Sequence, residues 1–580
     1  MSIGNDLRID NELELGNELY SEFSGLINNV CDFNKLKNYT YPTKYSFQYH
    51  NIDFINHLNS IKIPMNYKDA LRSPQCDQWI RAMKEEMASL TQKQVFKFVK
   101  QGNEKLLSTM WVYALKNENG KLRYKARLVA RGDCQTPGQY GETHSPTVEF
   151  SVLRMLLLYA MKHKLLIWNL DIKTAFLNAD LNEDIFIKPP SGFNFGNDLV
   201  IKLMKSLYGL RQAGHNWFKK LKTILESIGF RSINRETTLF VHEKIPNLII
   251  CVYVDDLLVL APSIEIKDRL IIELTRLLDL HDRGPLTEIL GVKFEWIGND
   301  LYYHQKHLII DLIERFEIQP NPKIQTPLPG NDLSTPMLNG QDCDQELYSS
   351  IIGSLLYIAR ISRPEILFPV IQMSQFRQTP KVAHLRKLYR ILVYLRNTID
   401  FKLNLKRDDN DLAISVYTDS SFNTNHDLKN FNGSVVYFGK SLVHWSCNKM
   451  RFSVLSTDEA EIIGCLSSLR QLLYFKYLFC EMIHSKPIQL RFPDLDDDSN
   501  CVKCTTPILY VDNKGSISFC TKGFGKRTKY LSTKFNFLIE QFQLGTYQVL
   551  YVNTKSNVAD IFTKNLVFEL FDTHRNSLFN

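Results

Sequence analysis

No run of about 18 apolar residues occurs in this chain, which excludes a membrane-spanning helix of ordinary length. Met1 is followed by the polar stretch Ser2 to Leu7 and not by a basic, then apolar leader. A disulfide framework is missing too. The 11 cysteines are odd in number and scattered, so reduced thiols in a soluble intracellular protein are expected. Cys501-Val502-Lys503-Cys504 is the only Cys-x-x-Cys, and with no second pair or paired histidines at knuckle spacing a zinc site is not expected. Against these absences stand 580 residues, 44% hydrophobic and 12% aromatic, enough for about three to four domains with real cores. The net charge of +8 suits a polyanionic partner better than a membrane.

The most informative stretch runs from Leu248 to Leu260, two short β-branched-rich apolar runs with Asp255-Asp256 between them. It reads as a buried hairpin carrying carboxylates at its tip. An ordinary polar turn would favour Asn-Gly or Asp-Gly, and Leu257-Leu258 follow instead. Two charges between strands this apolar are costly unless neutralised, and a hard divalent cation suits carboxylate oxygens. Asp255 and Asp256 are therefore expected to face a metal.

In chain order, residues 1–60 are rich in Asn, Asp and Glu with no sustained period and read as a partly disordered leader or linker. From Tyr67, apolar residues recur at three- and four-residue spacing through Leu90, predicting an amphipathic helix. Strands flanking Asn119-Gly120 predict a hairpin. Its second strand puts Arg123, Lys125, Arg127 and Arg131 on one face and Tyr124, Ala126, Leu128 and Ala130 on the other. Four like charges repel unless they meet an anion, such as a triphosphate or a nucleic-acid backbone, and a solvated basic face is the bland alternative. The strand Leu165 to Leu170 ends at Asp171, which can be a metal ligand or a helix N-cap. Acid at the ends of two strands, Asp171 and Asp255, is how a pair of divalent ions is held for phosphoryl transfer.

The logic repeats later. Ala413 to Thr418 alternates and ends at Asp419, and Pro507 to Val511 is another strand ending at Asp512. Between them Ser456-Thr457-Asp458 can cap a helix carrying Glu459 and Glu461, and Asn557 to Phe562, with Asp560, opens another. Each acid alone fits a cap or a surface position, but together they form a carboxylate constellation.

Several ordered motifs carry a family resemblance. Trp168-Asn169-Leu170-Asp171-Ile172-Lys173-Thr174-Ala175-Phe176-Leu177-Asn178, Lys205-Ser206-Leu207-Tyr208-Gly209-Leu210-Arg211-Gln212-Ala213 and Tyr253-Val254-Asp255-Asp256 resemble the reverse transcriptase of copia-like LTR retrotransposons. Tyr124 to Gly132 and Leu290-Gly291-Val292 look like that family too, and the likeness covers about residues 65–566. It implies an α+β chain: a right-hand polymerase (fingers, palm, thumb), then a connection and a ribonuclease H-like α/β domain. The boundaries expected are fingers and palm at 61–262, thumb-like at 263–320, linker and connection at 321–410, ribonuclease H-like at 411–566 and a loosely held tail at 567–580.

By this resemblance Asp171, Asp255 and Asp256 form the polymerase carboxylates, and Asp419, Glu461, Asp512 and Asp560 those of ribonuclease H. Each set holds two Mg²⁺ ions, with Mn²⁺ an alternative. Glu461 is preferred to Glu459 because Gly464 lies three residues on. Arg123, Lys125, Arg127, Phe176 and Gln212 fall to nucleotide or nucleic-acid binding, with Phe176 as an aromatic gate under the sugar. Implied partners are an RNA template, a DNA primer, RNA-DNA hybrid and deoxynucleotides, with self-association or an integrase partner and no membrane. The implied setting is a cytoplasmic virus-like particle, with nuclear entry as an option.

The chain departs from the family at Gly214, where proline is usual, at Glu365, usually aspartate, and at Tyr530 and Asn536, where histidine is common. No Asp-Ser-Gly or Asp-Thr-Gly triplet, zinc head or length for an integrase core is present, so a carboxy-terminal polymerase piece of a polyprotein, or a genomic remnant, is expected. A catalytically silent remnant that only binds nucleic acid is the rival reading. An intron- or telomere-type enzyme is disfavoured by the second acid domain.

Overall fold

The structure is a computed structural model that describes residues 61–118, 121–193, 199–330, 340–407, 413–422, 427, 429–451, 453–484, 506–523 and 535–579. They pack as two compact units that do not follow chain order. One holds 61–148 and 168–284; the other holds 149–167 and everything from 285 on. The segment expected to be thumb-like is divided accordingly, with helix Ile264–Leu277 in the first unit and helix Lys306–Arg315 in the second.

In the first unit, helix Cys76–Gln92 buries Trp79, Ala82, Met83, Met87 and Leu90, the stripe that the apolar spacing predicts. It covers the apolar face of strand Lys121–Ala130, where Ala126, Leu128 and Ala130 are buried. The Trp79 ring meets Tyr113 and Tyr124 edge-on at 5.3 and 4.7 Å. Burying an aromatic side chain this fully is worth about 2–3 kcal/mol. Strand Thr109–Glu118 pairs with Lys121–Ala130 through Glu118↔Lys121, so only Asn119-Gly120, outside the described residues, separates them.

A six-stranded sheet carries the centre of this unit, in the order Leu280–Pro285, Leu166–Ile172, Asp256–Ala261, Ile249–Tyr253, Leu239–His242, Phe230–Ser232. Two glycines of the family-like motifs touch beside it. A Cβ at Gly132 would lie 2.0 Å from the Gly209 carbonyl oxygen, and one at Gly209, where φ is +88°, 2.2 Å from that of Ala130. Only glycine lets these turns approach closely enough for Ala130 N–H to donate to Tyr208 O at 2.8 Å. Gly214 has a local reason as well: a Cβ there would sit 3.0 Å from Ser145 Cβ.

The second unit contains a five-stranded mixed sheet in the order Ser441–Lys449, Phe431–Phe438, Ile414–Ser420, Ile508–Val511, Gln548–Tyr551, the last two interfaces being parallel. Helix Phe150–Lys162, almost wholly buried, packs beside it. Within that helix Arg154 is only 2% exposed. It donates to Tyr303 Oη, Val443 O, Arg360 O and Ile361 O at 2.7–3.2 Å, and its guanidinium lies 4.0 Å from the Trp445 ring centroid. Five donors meet enough acceptors for the buried cation to be tolerated.

Helices Gln345–Ile361, Leu367–Ser374 and Val382–Asn397 lie in the segment expected to be linker and connection. Glu365, the departure from aspartate, is fully buried and reaches the Arg363 guanidinium at 2.6 Å. The tail expected to be loosely held is instead helix Phe568–Phe579, which buries Phe571, His574 and Leu578. Tyr530 lies outside the described residues. No helix of the described residues is long and apolar enough to cross a membrane.

Candidate functional site

In the first unit, strands Ile249–Tyr253 and Asp256–Ala261 pair antiparallel with Tyr253 opposite Asp256. Val254 and Asp255 therefore make a two-residue turn, and Asp256 opens the outgoing strand. Val254 has φ +54°, a left-handed conformation that is strained for a β-branched residue. Two hydrogen bonds hold it there: Trp217 Nε1 donates to Val254 O at 2.7 Å, and Ile172 N donates to Asp255 O at 2.8 Å. The second bond puts Asp171, next to Ile172 in the neighbouring strand, beside the acidic turn. The strand runs through Asp171, and Thr174, not Asp171, precedes the Ala175–Asn178 turn as its cap.

Arg283, from the adjoining edge strand, forks across the acids. Its Nη2 lies 2.5 Å from Asp171 Oδ1 and its Nη1 3.1 Å from Asp256 Oδ1. Burial pushes the Asp255 carboxyl up, Asp171 adds to the shift, and Arg127 and Arg283 oppose it. Carboxylates so arranged, already drawing a guanidinium of the same chain, suit a hard divalent ion.

The basic strand reaches the same neighbourhood. Arg127 stands 5.0 Å from the Tyr208 ring centroid. Burial pushes the Tyr208 hydroxyl up to about 12; Arg127 opposes this while Glu86, Asp255 and Asp171 add to it. Arg123 and Arg127 are exposed, whereas Lys125 is half-buried, its ammonium pulled down to about 8 by burial and by Arg127 and Lys116. The Phe176 ring meets Tyr208 edge-on at 5.5 Å and is half-buried against the unit's core. Gln212 is fully buried, its amide accepting from Gln135 Nε2 and donating to Gln139 O, both at 3.1 Å. It holds the 135–139 loop and presents no free amide end.

In the second unit Asp419 lies near the end of strand Ile414–Ser420, and Asp512 directly follows its parallel neighbour Ile508–Val511. Asp560 comes from the 3-10 turn Val558–Phe562, which Asn557 ties to the first strand by donating to Thr418 O at 3.0 Å. One carboxylate oxygen from each of the three lies within 4.8 Å of the others. Thr563 Oγ1 donates to Asp419, and Lys564 Nζ stands 3.1 Å from Asp560 Oδ1 and 3.5 Å from Asp419 Oδ2.

Helix Thr457–His484 supplies the fourth acid. A Cβ at Gly464 would lie 2.4 Å from Ser420 Oγ, so glycine there lets the helix press onto the Asp419 strand. Glu461, one turn earlier, is thereby buried, its carboxyl pushed up to about 10 by burial, then by Asp419 and Asp512. Its Oε2 has no hydrogen-bond partner among the described residues. Glu459 is occupied otherwise: it accepts from Leu455 N at 2.8 Å while its own N–H donates to Ser456 Oγ, which caps the helix start. Asp560 is pushed up to about 8 by burial and Asp419 against the pull of Lys564, and Asp512 is raised by burial and Asp419. Buried, mutually repelling carboxylates with an orphaned oxygen fit divalent cations. His574, on the unexpected terminal helix, is buried near them, its ring pulled down to about 4 by burial and Lys564.

Arg283, Lys564, Trp217 and His574 are the residues that the motifs did not single out. Only His574 left a trace, the Phe571, His574, Leu578 spacing of a helix face.

In the first unit an acid-bearing hairpin thus lies beside a second acidic strand, and residues 93–329 match the family described as reverse transcriptase (RNA-dependent DNA polymerase). The putative transposon Ty5-1 protein of Saccharomyces cerevisiae is 35% identical over 313 residues, its whole length and 52% of this chain. The retrovirus-related Pol polyprotein from transposon RE1 of Arabidopsis thaliana is 31% identical over 469 residues, 80% of this chain and 31% of the relative. That from transposon TNT 1-94 of Nicotiana tabacum is 30% identical over 520 residues, 86% of this chain and 38% of the relative. The chain belongs to the reverse transcriptase family of copia-type retrotransposon Pol polyproteins. It spans about a third of the length of the plant Pol polyproteins that it matches.

Proposed function

We propose that the chain is an RNA-directed DNA polymerase with a fused ribonuclease H, copying retrotransposon RNA into DNA and degrading the RNA strand. The observation that carries this reading is a chain matching reverse transcriptase over residues 93–329 in which one compact unit sets Asp171 and Asp256 on the Arg283 guanidinium and the other brings Asp419, Asp512 and Asp560 within 4.8 Å of one another. On this reading Asp171, Asp255 and Asp256 serve polymerisation, and Asp419, Glu461, Asp512 and Asp560 serve cleavage. Two divalent ions per site, Mg²⁺ or Mn²⁺, would neutralise charge on the phosphoryl oxygens and activate the attacking oxygen.

The chain's own groups do the rest. Arg123, Lys125 and Arg127 bind the phosphates of the nucleotide or the hybrid backbone. Phe176 walls the sugar, and Gln212 acts as a positioning residue through the loop it holds. Glu461 and Asp560 release their protons as the cleavage site loads, because burial disfavours their charge until a cation arrives. RNA template, DNA primer, hybrid and deoxynucleotides are the partners this chemistry requires; a virus-like particle, self-association and an integrase partner belong to the same proposal.

The test is primer extension on an RNA template beside an Asp255→Asn control. Extension by the wild type that the control lacks supports the reading, and equal extension by both overturns it.

A further inference from the structure

Arg283 occupies the place where a metal would be expected. It lies in the Leu280–Pro285 edge strand, next to the strand of Asp171, and its two terminal nitrogens contact one oxygen each of Asp171 and Asp256. Two carboxylates and a planar fork make a matched pair, stronger and more directional than a lone ammonium contact. Its side chain is 41% exposed, so water reaches the guanidinium and can take the place of the acids as its partner. A divalent ion bound between these acids needs the same oxygens and would face the guanidinium charge at close range.

We propose that Arg283 is the resident counter-cation of the first acid site, bridging Asp171 and Asp256 in the metal-free protein and giving way when divalent ions load. Metal loading is then an exchange of one cation for another. Arg283 sets how much free metal the site demands and prevents three acids at neighbouring strand ends from repelling one another beforehand. The inference rests on the metal-dependent polymerase reading, and its test separates the two.

The experiment is Mn²⁺ binding to the full chain, read by electron paramagnetic resonance of the free ion. Asp419→Asn and Asp512→Asn are present in every sample to silence the second site. Arg283→Leu should bind Mn²⁺ at least about tenfold more tightly. Its melting temperature in EDTA should fall and then recover at saturating Mn²⁺, because the metal supplies the charge that the arginine supplied. Arg283→Lys keeps the charge but not the fork, so it should bind several-fold more tightly and covers the case in which the leucine variant does not fold. If Asp255→Asn removes Mn²⁺ binding while both Arg283 variants match the parent or bind more weakly, the counter-cation role is overturned and the metal site stands. If Asp255→Asn leaves the isotherm unchanged, the metal reading itself falls, and this inference with it.

Discussion

The two acid clusters hold similar chemistry in different surroundings. In the first, Asp171 and Asp256 are 22% and 16% exposed, and their cation is the exposed arginine Arg283. In the second, Asp419 and Asp560 are 3% and 2% exposed, and their cation is Lys564. Burial together with repulsion from neighbouring carboxylates separates their titration. Asp255 is raised, but Asp560 reaches about 8 and Glu461 about 10. An open cluster can stay ionised with water and one guanidinium for company, whereas a closed one keeps protons until a stronger cation displaces them.

The largest expected effects come from breaking one cluster while sparing the other. Asp171→Asn or Asp255→Asn should reduce extension by about 10³-fold or more, because losing one ligand both weakens and misplaces the ion. Asp419→Asn or Asp512→Asn should stop RNA cleavage in a hybrid and leave extension within about fewfold, since the clusters lie in different compact units. Parallel assays on each variant decide the matter. Loss of both activities from one substitution, with a native-like melt, would make the clusters a single functional centre.

The next effect distinguishes the clusters by pH. Carboxyls of the second one ionise in the unfolded chain near their ordinary values of 4.5 and 3.8, but in the folded chain they are pushed up to about 10 for Glu461 and about 8 for Asp560. Between those limits the folded state holds more protons, so their contribution to stability falls as pH rises. In EDTA the second unit should therefore melt several degrees lower at pH 8 than at pH 5.5, and Glu461→Gln should flatten that slope. Added Mn²⁺ should raise the melting temperature more at pH 8, where fewer protons have to be expelled. A metal-free melt that rises with pH across this window would contradict the burial argument.

What could be read from the sequence follows the range of the signals. Asp171, Asp255, Asp419 and Asp512 stand at or beside the ends of short apolar runs, a local pattern that survives folding. Gly464 marked Glu461 because the packing it permits lies one helical turn away. Arg283 could not be found this way. Its strand is half-buried only at Leu280 and Gly284, and the Asp171 it meets is 112 residues earlier. The grouping of residues 149–167 with the chain after 285 is equally non-local; the helix is apolar all round, which says that it is buried but not where. Gln212 shows the converse: a family motif marks a residue, and only the fold shows that it also holds the 135–139 loop.

Phe176 sharpens the comparison within the first unit, because its ring is shared between the core and the region of the acids. If it walls the sugar, Phe176→Val should raise ribonucleotide kcat/KM by about tenfold with little loss for deoxynucleotides, a change of only about 1.4 kcal/mol. Equal loss for both sugars would assign the ring to its edge-on contact with Tyr208 alone.

The smallest effect concerns the basic strand, where exposure again separates neighbours. Arg127→Ala should lower the salt slope of hybrid binding by about one, or raise the KM for nucleotide, as expected for one lost phosphate contact. Lys125 differs because its half-buried ammonium titrates near 8. Its contribution is complete below that pH and fades as pH rises through it, while an arginine stays charged throughout. Lys125→Ala should therefore weaken binding at pH 7 and matter little at pH 9, whereas Arg127→Ala should cost the same at both. The comparison is a set of hybrid Kd values at two pH values and several salt concentrations. An unchanged salt slope and KM in both variants would leave the strand a solvated face, and an effect of Lys125→Ala that persists at pH 9 would place its ammonium in a more open setting than its burial implies.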